Sequence, residues 1–442
     1  MSVVSLLAAV PGVDSGDTAW MLAATALVLM MTPALGLFYA GLVRSKNTLN
    51  TFMMCIAAIA VAMVTWALVG YSLAFDGTGD LIGGLGYAGL HGVDFLPRND
   101  ESTIPHLLFM AFQATFCIIT VALVSGAVVE RMRFGAFLVF AALWSVLVYA
   151  VLAHWAFGGG WLAERGTLDF AGGVPVEMAS GFSALAAALV VGTRKDYGRQ
   201  ALLPHNAMYV LLGAGLLWFG WFGFNGGSGF NTGTNSVLAF TNTLITPACA
   251  LVTWFALDLI RGRKATAIGA ATAIIVGCVL ITPAGGYISP GWAMVLGFLG
   301  ALPCYAMIVW RPRTRVDETL DVLAAHGIAG FTGILFLGLV AQASWNGVAD
   351  GLFYGDAGQF WSEGKYLDLP NSKIAVRHSP EFHDYETGCL ELGKCYWATV
   401  AFGPRGISIA PETRVELSFK DYAAGRDPVL ETVLKQAGIT AD

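Results

Sequence analysis

Charged residues are scarce in this chain. Asp, Glu, Lys and Arg make up 12% of its 442 residues, whereas 56% are hydrophobic. A soluble protein needs more charge than this to cover a surface that faces water, so the composition excludes one. The apolar runs also lack strict alternation, which excludes a membrane β-barrel. Helices are then the remaining structures that satisfy backbone polar groups in lipid, so the chain is predicted to be an all-α polytopic membrane protein.

Metal-ligand and phosphate-binding patterns are also missing. No spacing of Cys, His or carboxylates is typical of a metal site, so no metal and no cofactor are expected, and the protein is not predicted to be an enzyme. The glycine clusters at 158–160 and 225–229 lack the Lys and Ser/Thr of a phosphate-binding loop. Neither nucleotide nor nucleic-acid binding is therefore expected.

Long apolar runs recur along the chain, and their length of about 20 residues is that of a helix that crosses a bilayer. They predict ten spans, at residues 18–42, 50–75, 105–129, 134–157, 172–193, 204–225, 236–260, 265–284, 291–310 and 320–345. Together these spans form a predicted membrane domain over residues 17–352.

Lysine and arginine concentrate in alternate loops between the predicted spans. One set of loops carries thirteen of them, and the other set carries only Arg98 and Arg165. Basic loops stay on the cytoplasmic side of a membrane. The N-terminus and the segment after the tenth span are therefore both predicted to lie on the outer side of the cytoplasmic membrane. Cys389 and Cys395 belong to that segment and could form a disulfide there.

Two predicted spans each contain an ionisable side chain, Glu177 in the fifth and His326 in the tenth. An ionisable group at bilayer depth costs roughly 3 kcal/mol on insertion scales, so each marks a functional site. The segments that begin at these residues, EMASGFS and HGIAGFT, align with each other. We therefore predict two five-helix repeats, at 17–193 and 204–345. Because five is odd, the repeats insert with opposite topology and form a site near the membrane midplane.

The character of the sequence changes from about residue 353. No window in residues 353–442 could span a bilayer. Alternating stretches at 395–402 and 413–419 predict strands, and DPVLETVLKQAG at 427–438 predicts a short helix. A small α+β appendage and a poorly ordered extension both remain open for this segment, in which we recognise no motif.

Six motifs occur in a fixed order over residues 17 to about 355. They are DTAWMLAATALVLMMTPALGLFYAGLVRSKN, AFQATFCIITVALVSGAVVERMRF, AHWAFGGGWLAERGTLDFAGG, FGWFGFNGGSG, TPAGGYI and DETLDVLAAHGIAG. Their order and spacing resemble those of the ammonium transporter (Amt/Mep/Rh) family, and the first and third motifs look nearest to its bacterial Amt branch. The resemblance implies a homotrimer with one pore in each subunit.

The resemblance also implies roles for residues near the outer mouth of the pore. Phe116 and Phe224 match a stacked pair of phenylalanines that closes this mouth. Ser228 matches the hydroxyl of the outer ammonium site, and Asp169 matches the buried aspartate beneath it. Phe112 matches an aromatic position of the same site.

Deeper in the pore, the resemblance makes His326 the second of a pair of histidines, while Tyr39 and Trp221 match further aromatic positions. Two residues depart from the family pattern. Glu177 stands where most bacterial members have the first histidine, as in a subset of fungal members, and we expect altered pH dependence and weaker exclusion of metal cations. Phe157 replaces the usual outer-site tryptophan, and its poorer cation–π face predicts a lower affinity.

A third departure concerns the C-terminal end. Family members normally continue with an eleventh helix and a cytoplasmic tail that docks P-II regulatory proteins. Neither is recognisable after residue 345, so docking of a P-II protein lacks its usual support.

The predicted function is ammonium transport. Ammonium or ammonia, with methylammonium as a further substrate, would bind at the outer site and pass a hydrophobic pore lined by Glu177 and His326. An ammonium sensor with little flux and an Rh-like gas channel for ammonia or carbon dioxide are the alternatives. No recognisable output domain follows residue 353, which favours transport over sensing.

Overall fold

The computed structural model describes residues 10–77, 79–199 and 203–354, and the backbone of four short strands further along the chain. The chain divides into two units, residues 1–353 and 354–442. The first is helical, and the described part of the second contains only the strands.

Ten long helices form the first unit, and each coincides with one predicted span. They are α1 (Ser15–Leu42), α2 (Ser45–Phe75), α3 (His106–Val128), α4 (Phe134–Glu164), α5 (Gly173–Val191), α6 (Ala207–Gly227), α7 (Thr234–Ile260), α8 (Ala267–Ile281), α9 (Pro290–Arg313) and α10 (Leu323–Val340). All except the shorter α8 are long and apolar enough to cross a membrane. The chain is therefore a multi-pass membrane protein, as the sequence predicted.

Several helices start where a polar side chain can cap them. The Asn206 carbonyl accepts hydrogen bonds from the backbone N–H groups of Met208 and Tyr209 at the start of α6. Thr266 caps α8, and α9 begins with Pro290, whose missing N–H costs nothing at this position. A short helix, Ala343–Asn346, follows α10.

The strands of the second unit form two antiparallel pairs. β1 (Gln359–Phe360) pairs with β4 (His383–Asp384), and β2 (Lys365–Asp368) pairs with β3 (Ala375–His378). These strands were not predicted. The predicted strands at 395–402 and 413–419, the predicted helix at 427–438, and Cys389 and Cys395 all lie outside the described residues.

The two repeats meet where α5 and α10 begin. Each of these helices opens with a π-helical segment, Gly173–Met178 in α5 and Leu323–Ile328 in α10. A π-helical turn widens the helix locally and is often found at functional sites. One segment holds Glu177 and the other holds His326, so the duplication seen in the sequence is also present in the local backbone.

Glycines let α5 and α10 cross at very short range. A Cβ added at Gly181 would lie 2.1 Å from the backbone nitrogen of Gly327, and one added at Gly330 would lie 2.7 Å from the Cβ of Glu177. No larger residue fits at either crossing point. This contact between the two inverted repeats brings Glu177 and His326 together at the centre of the bundle.

At one end of the bundle, charged side chains from four loops form a network. Glu130 contacts both Arg44, at 3.0 Å, and Arg194, at 3.1 Å, and Arg194 also contacts Asp317 at 2.7 Å. Burial alone would raise the pKa of Glu130, but hydrogen bonds from Arg44, Asn47 and Arg194 outweigh it and lower the pKa to about 2. We call this end of the bundle the basic face.

Candidate pore and its two vestibules

A cavity of about 640 Å³ opens at the end of the bundle opposite the basic face. We call it the Ser228 vestibule. The predicted site residues that line it are Ser228, Asp169, Phe116 and Phe157, and Gln113 lines it as well. Four residues that the sequence placed together, two from helices α3 and α4 and two from the segments next to α6 and α5, therefore share one cavity wall.

Ser228 follows directly after the last residue of α6, and its side chain is almost buried. Its hydroxyl donates a hydrogen bond to the backbone carbonyl of Phe224 at 2.8 Å. A hydroxyl has one donor and two acceptor lone pairs, so this bond uses the donor and leaves the lone pairs for a ligand. The residue is thereby prepared to accept a hydrogen bond, which suits a cation that carries N–H groups.

Asp169 lies just before α5, beneath the vestibule. Its carboxylate accepts hydrogen bonds from the backbone N–H groups of Gly172, Gly173 and Val174, at 2.7–2.9 Å. Burial raises the pKa of this carboxyl to about 6, although these N–H donors act in the opposite direction. Asp169 therefore caps α5 and also places a titratable carboxylate in the vestibule wall.

Aromatic rings separate the vestibule from the interior. The rings of Phe116 and Phe224 stack, with centroids 4.1 Å apart and an angle of 28° between their planes. Phe112 packs behind them, 4.8 Å from Phe116, and is fully buried. It is not among the residues that line the vestibule, so the structure places it in the layer that supports the stacked pair.

Below the stacked rings the passage narrows to a constriction that holds Glu177 and His326. The Nδ1 atom of His326 lies 2.7 Å from Oε2 of Glu177, and both side chains are buried. An ionised carboxylate only accepts, so Nδ1 is then the donor. Neither Oε1 of Glu177 nor Nε2 of His326 has a hydrogen-bond partner within the described residues. Apart from this pair the constriction is lined by Met31, Leu35, Phe38, Ile119, Leu123, Val176, Leu217, Trp221, Phe224 and Ile275.

A second cavity, of about 390 Å³, leads from His326 to the basic face. We call it the basic-face vestibule. Tyr39 lies in its wall and donates a hydrogen bond to the backbone carbonyl of Leu123 at 3.0 Å. Arg311 and Asp321 also line this vestibule, and their side chains form an ion pair at 2.5 Å. Two vestibules thus approach the Glu177–His326 pair from opposite ends of the bundle.

Trp221 lines the constriction, where its indole Nε1 donates to Thr282 at 3.0 Å. The other histidines of the helical unit lie elsewhere. Both ring nitrogens of His154 face backbone carbonyls, those of Ala74 and Gly79, and Nδ1 of His205 lies 3.2 Å from the carbonyl of Val43. Neither histidine lines either vestibule or the constriction.

Sequence reasoning missed Glu318. This carboxylate is fully buried, and its Oε2 accepts a hydrogen bond from the backbone N–H of Leu323 at 3.3 Å, while Oε1 has no partner within the described residues. Burial and the neighbouring Asp321 raise the pKa of Glu318 to about 7. A signal was available, since Glu318 precedes His326 by the same eight residues that separate Asp169 from Glu177.

Two inverted five-helix repeats, two opposed vestibules and a narrow apolar passage between them define a polytopic membrane protein with a central pathway for a small solute. The sequence profile of the Ammonium Transporter Family matches residues 19–366, and the chain belongs to this family. The family consists of transporters and channels, not enzymes.

Individual relatives agree with this assignment. An ammonium transporter from Bacillus subtilis is 46% identical over 350 residues, which cover 79% of this chain and 86% of the relative. The crystal structure of Saccharomyces cerevisiae Mep2 matches with a TM-score of 0.72 at 36% identity, over 77% of this chain and 76% of that one. A structure described as a Sensor Amt Protein matches with a TM-score of 0.70 at 27% identity, over 75% and 84% of the two chains.

Proposed function

We propose that this protein moves ammonium across the cytoplasmic membrane by binding it in the Ser228 vestibule and passing it through the Glu177–His326 constriction. The observation that carries the proposal is the 2.7 Å contact between Glu177 and His326 in the constriction between the two vestibules. A buried acid–base pair in this place is costly in an apolar surrounding and suits the transfer of a proton.

Recruitment needs groups that suit a small cation with four N–H donors. The Ser228 hydroxyl offers lone pairs, the carboxylate of Asp169 offers negative charge, and Phe116 offers an aromatic face. Phe157 lines the same cavity and adds a second face, which is weaker than that of the tryptophan expected from the family resemblance. We infer a functional binding site whose affinity is lower than tryptophan would provide.

Passage through the constriction requires the ion to give up its charge or its water. An isolated charge in an apolar passage lacks the hydration that stabilises it in water. Among the described residues that line the constriction, Glu177 and His326 are the only polar side chains besides the indole of Trp221. We propose that ammonium loses one proton to this pair, that neutral ammonia continues between the apolar side chains, and that the two recombine in the basic-face vestibule. The Nε2 atom of His326 is the group that meets the substrate.

The direction of the pathway follows from charge. Arg44, Arg131, Arg194 and Arg311 all belong to the basic face, which the positive-inside rule assigns to the cytoplasm. The Ser228 vestibule then opens outside. We propose a homotrimer with one pore in each subunit, as the family resemblance implies; mass photometry of the detergent-solubilised protein tests it.

An ammonium sensor is the second candidate. The observation that favours it is the similarity to the Sensor Amt Protein over three quarters of this chain. A sensor would retain binding in the Ser228 vestibule and conduct little. The gas-channel alternative would conduct ammonia without net charge movement.

Proteoliposomes on a solid-supported membrane separate these functions, because the electrode records charge translocation after a pulse of ammonium and then of potassium. A saturable current with ammonium and none with potassium supports selective electrogenic transport. Uptake of ammonia without current supports a gas channel. Silence to both ions, together with saturable ammonium binding to the purified protein, contradicts transport and supports the sensor.

A further inference from the structure

Gln113 has an unusual position in the wall of the Ser228 vestibule. Its side chain is only 4% exposed, it lines the cavity, and its Oε1 has no hydrogen-bond partner within the described residues. The amide nitrogen of the same side chain is less deeply buried than Oε1, and it makes no hydrogen bond within the described residues either. Buried polar groups nearly always have hydrogen-bond partners, and one without a partner lowers the stability of the protein. The unpartnered amide of Gln113 therefore indicates a functional role.

The side-chain oxygens of two other buried amides also lack a donor within the described residues, but these amides are anchored by their nitrogens. Asn225 donates to Thr243 at 2.9 Å, and Asn242 donates to the carbonyls of Gly285 and Ile288. Asn225 thereby connects α6 to α7, and Asn242 connects α7 to the turn between α8 and α9. Gln113 connects nothing within the described residues, so a structural role does not explain it.

Helix geometry directs Gln113 into the cavity. Phe109, Gln113 and Phe116 are spaced by four and three residues along α3, so they lie on one face of this helix. All three line the Ser228 vestibule. The amide therefore belongs to the same wall as the upper ring of the stacked phenylalanines, and Ser228 lines the cavity with it.

We propose that the side-chain carbonyl of Gln113 is a second hydrogen-bond acceptor for ammonium, which together with Ser228 positions the ion above the ring of Phe116. This inference rests on the proposed function. Asp169 lines the same cavity, but three backbone N–H groups already engage its carboxylate and leave it little capacity for a further directional hydrogen bond. The Gln113 amide has no hydrogen bond within the described residues, so a half-turn about its terminal torsion breaks none. This turn directs the carbonyl oxygen, which is buried in the present orientation, toward the cavity as the missing directional acceptor.

Two acceptors select for cations with at least two N–H donors. Ammonium has four and methylammonium has three, so both can bond to Ser228 and Gln113 together. Trimethylammonium has one N–H, and the alkali cations have none. The site is therefore inferred to bind ammonium and primary ammonium ions and to reject trimethylammonium even where its size would fit.

The test compares the half-saturating ammonium concentration of the wild-type protein with that of Gln113→Met, a variant of similar shape that lacks the acceptor. Loss of a hydrogen bond to a charged ligand predicts an increase of about tenfold, with the maximal current retained. Thr115→Val is the matched control on the same helix, because its hydroxyl already donates to the carbonyl of Phe112 at 2.6 Å. This control is expected to leave the half-saturating concentration unchanged.

Gln113→Met with wild-type half-saturation would overturn the inference while leaving the proposed function intact. A wild-type protein with neither current nor binding would overturn the proposed function instead. If Gln113→Met does not reach the membrane, Gln113→Glu serves, because it keeps an acceptor and adds negative charge. Its half-saturating concentration is expected to equal or fall below that of the wild type, and a higher value counts against the inference.

Discussion

Asp169 and Glu318 occupy equivalent places in the two inverted repeats. Each lies eight residues before the ionisable residue of its repeat, and each accepts backbone N–H groups at the start of a π-helical segment. They differ in one respect, since three N–H groups engage both oxygens of Asp169, whereas Oε1 of Glu318 has no partner within the described residues. The duplication therefore extends from the pore pair to the carboxylates that support it.

The first prediction concerns this equivalence. Glu318→Ala removes the acceptor at the start of α10, so it should disturb the placement of His326 and lower the maximal ammonium current severalfold. The half-saturating concentration should stay near the wild-type value, because the Ser228 vestibule lies in the other half of the pathway. Current recordings over a concentration series measure both quantities. A variant with altered half-saturation and normal maximal current would argue against the assigned position of Glu318.

The second prediction concerns the constriction. His326→Ala should abolish selective ammonium current while the protein still assembles in the membrane, because Glu177 alone cannot both accept and deliver a proton along the passage. Glu177→His should restore the behaviour of a paired-histidine pore, including stricter exclusion of potassium. Full wild-type transport by His326→Ala, with intact assembly confirmed by size-exclusion chromatography of the solubilised protein, would rule out the proton relay.

The third prediction concerns Phe157. Replacing it by Trp enlarges the aromatic face toward the Ser228 vestibule, and a gain of about 1 kcal/mol in cation–π attraction corresponds to roughly fivefold tighter binding. The half-saturating ammonium concentration should fall by that factor. Phe157→Leu is the control and should raise it. If both variants match the wild type, Phe157 has no part in binding.

The fourth prediction concerns the pH dependence of binding. The pKa of Asp169 is raised to about 6, so this group is ionised at neutral pH and becomes protonated as the pH falls through 6. Because a cation binds better beside a carboxylate than beside a carboxylic acid, the half-saturating ammonium concentration should rise as the pH is lowered from 7 to 5. Asp169→Asn should bind weakly at every pH in this range. If the half-saturating concentration of Asp169→Asn depended on pH as strongly as that of the wild type, a group other than Asp169 would cause the effect.

The fifth prediction concerns stability at the basic face. Glu130 is buried between Arg44 and Arg194, so Glu130→Ala leaves these cations without their partner and should destabilise the protein by about 3 kcal/mol. Asp196→Ala removes a more exposed partner of Arg44 and should cost under about 1 kcal/mol. Thermal unfolding in detergent compares the two variants, and an equal loss in both would contradict the ranking.

The same network predicts how stability depends on pH. The pKa of Glu130 falls from its ordinary 4.5 to about 2 in the folded protein. A carboxylate with a lowered pKa contributes its full stabilisation above pH 4.5 and loses it as the pH falls toward 2. The difference in the free energy of unfolding between the wild type and Glu130→Ala should therefore become smaller as the pH falls from 4.5 toward 2.

Part of the pore could be predicted from the chain alone. The sequence predicted the ten apolar helices from the length of its apolar runs, and the duplication from the similar segments around Glu177 and His326. The odd number of helices in each repeat then predicted the inverted topology. The stacked contact between Phe116 and Phe224 was expected from the family resemblance and is present at 4.1 Å. The position of Gln113 in the vestibule wall was not predicted, because a single amide residue in an apolar helix forms no recognisable sequence pattern. Phe112 was assigned to the binding site itself, and the structure places it one layer behind.

Amino-acid composition and hydrophobic spacing determined by themselves that this chain is a multi-pass helical membrane protein with two related halves, because lipid allows few other solutions for its backbone. Only the tertiary structure decided which side chains share a cavity. The close approach of Gly181 to Gly327 sets the distance between Glu177 and His326, and the free amide of Gln113 becomes visible only after every neighbouring partner is placed. Such contacts join residues far apart in the chain, and their geometry depends on helix crossings that no local pattern encodes.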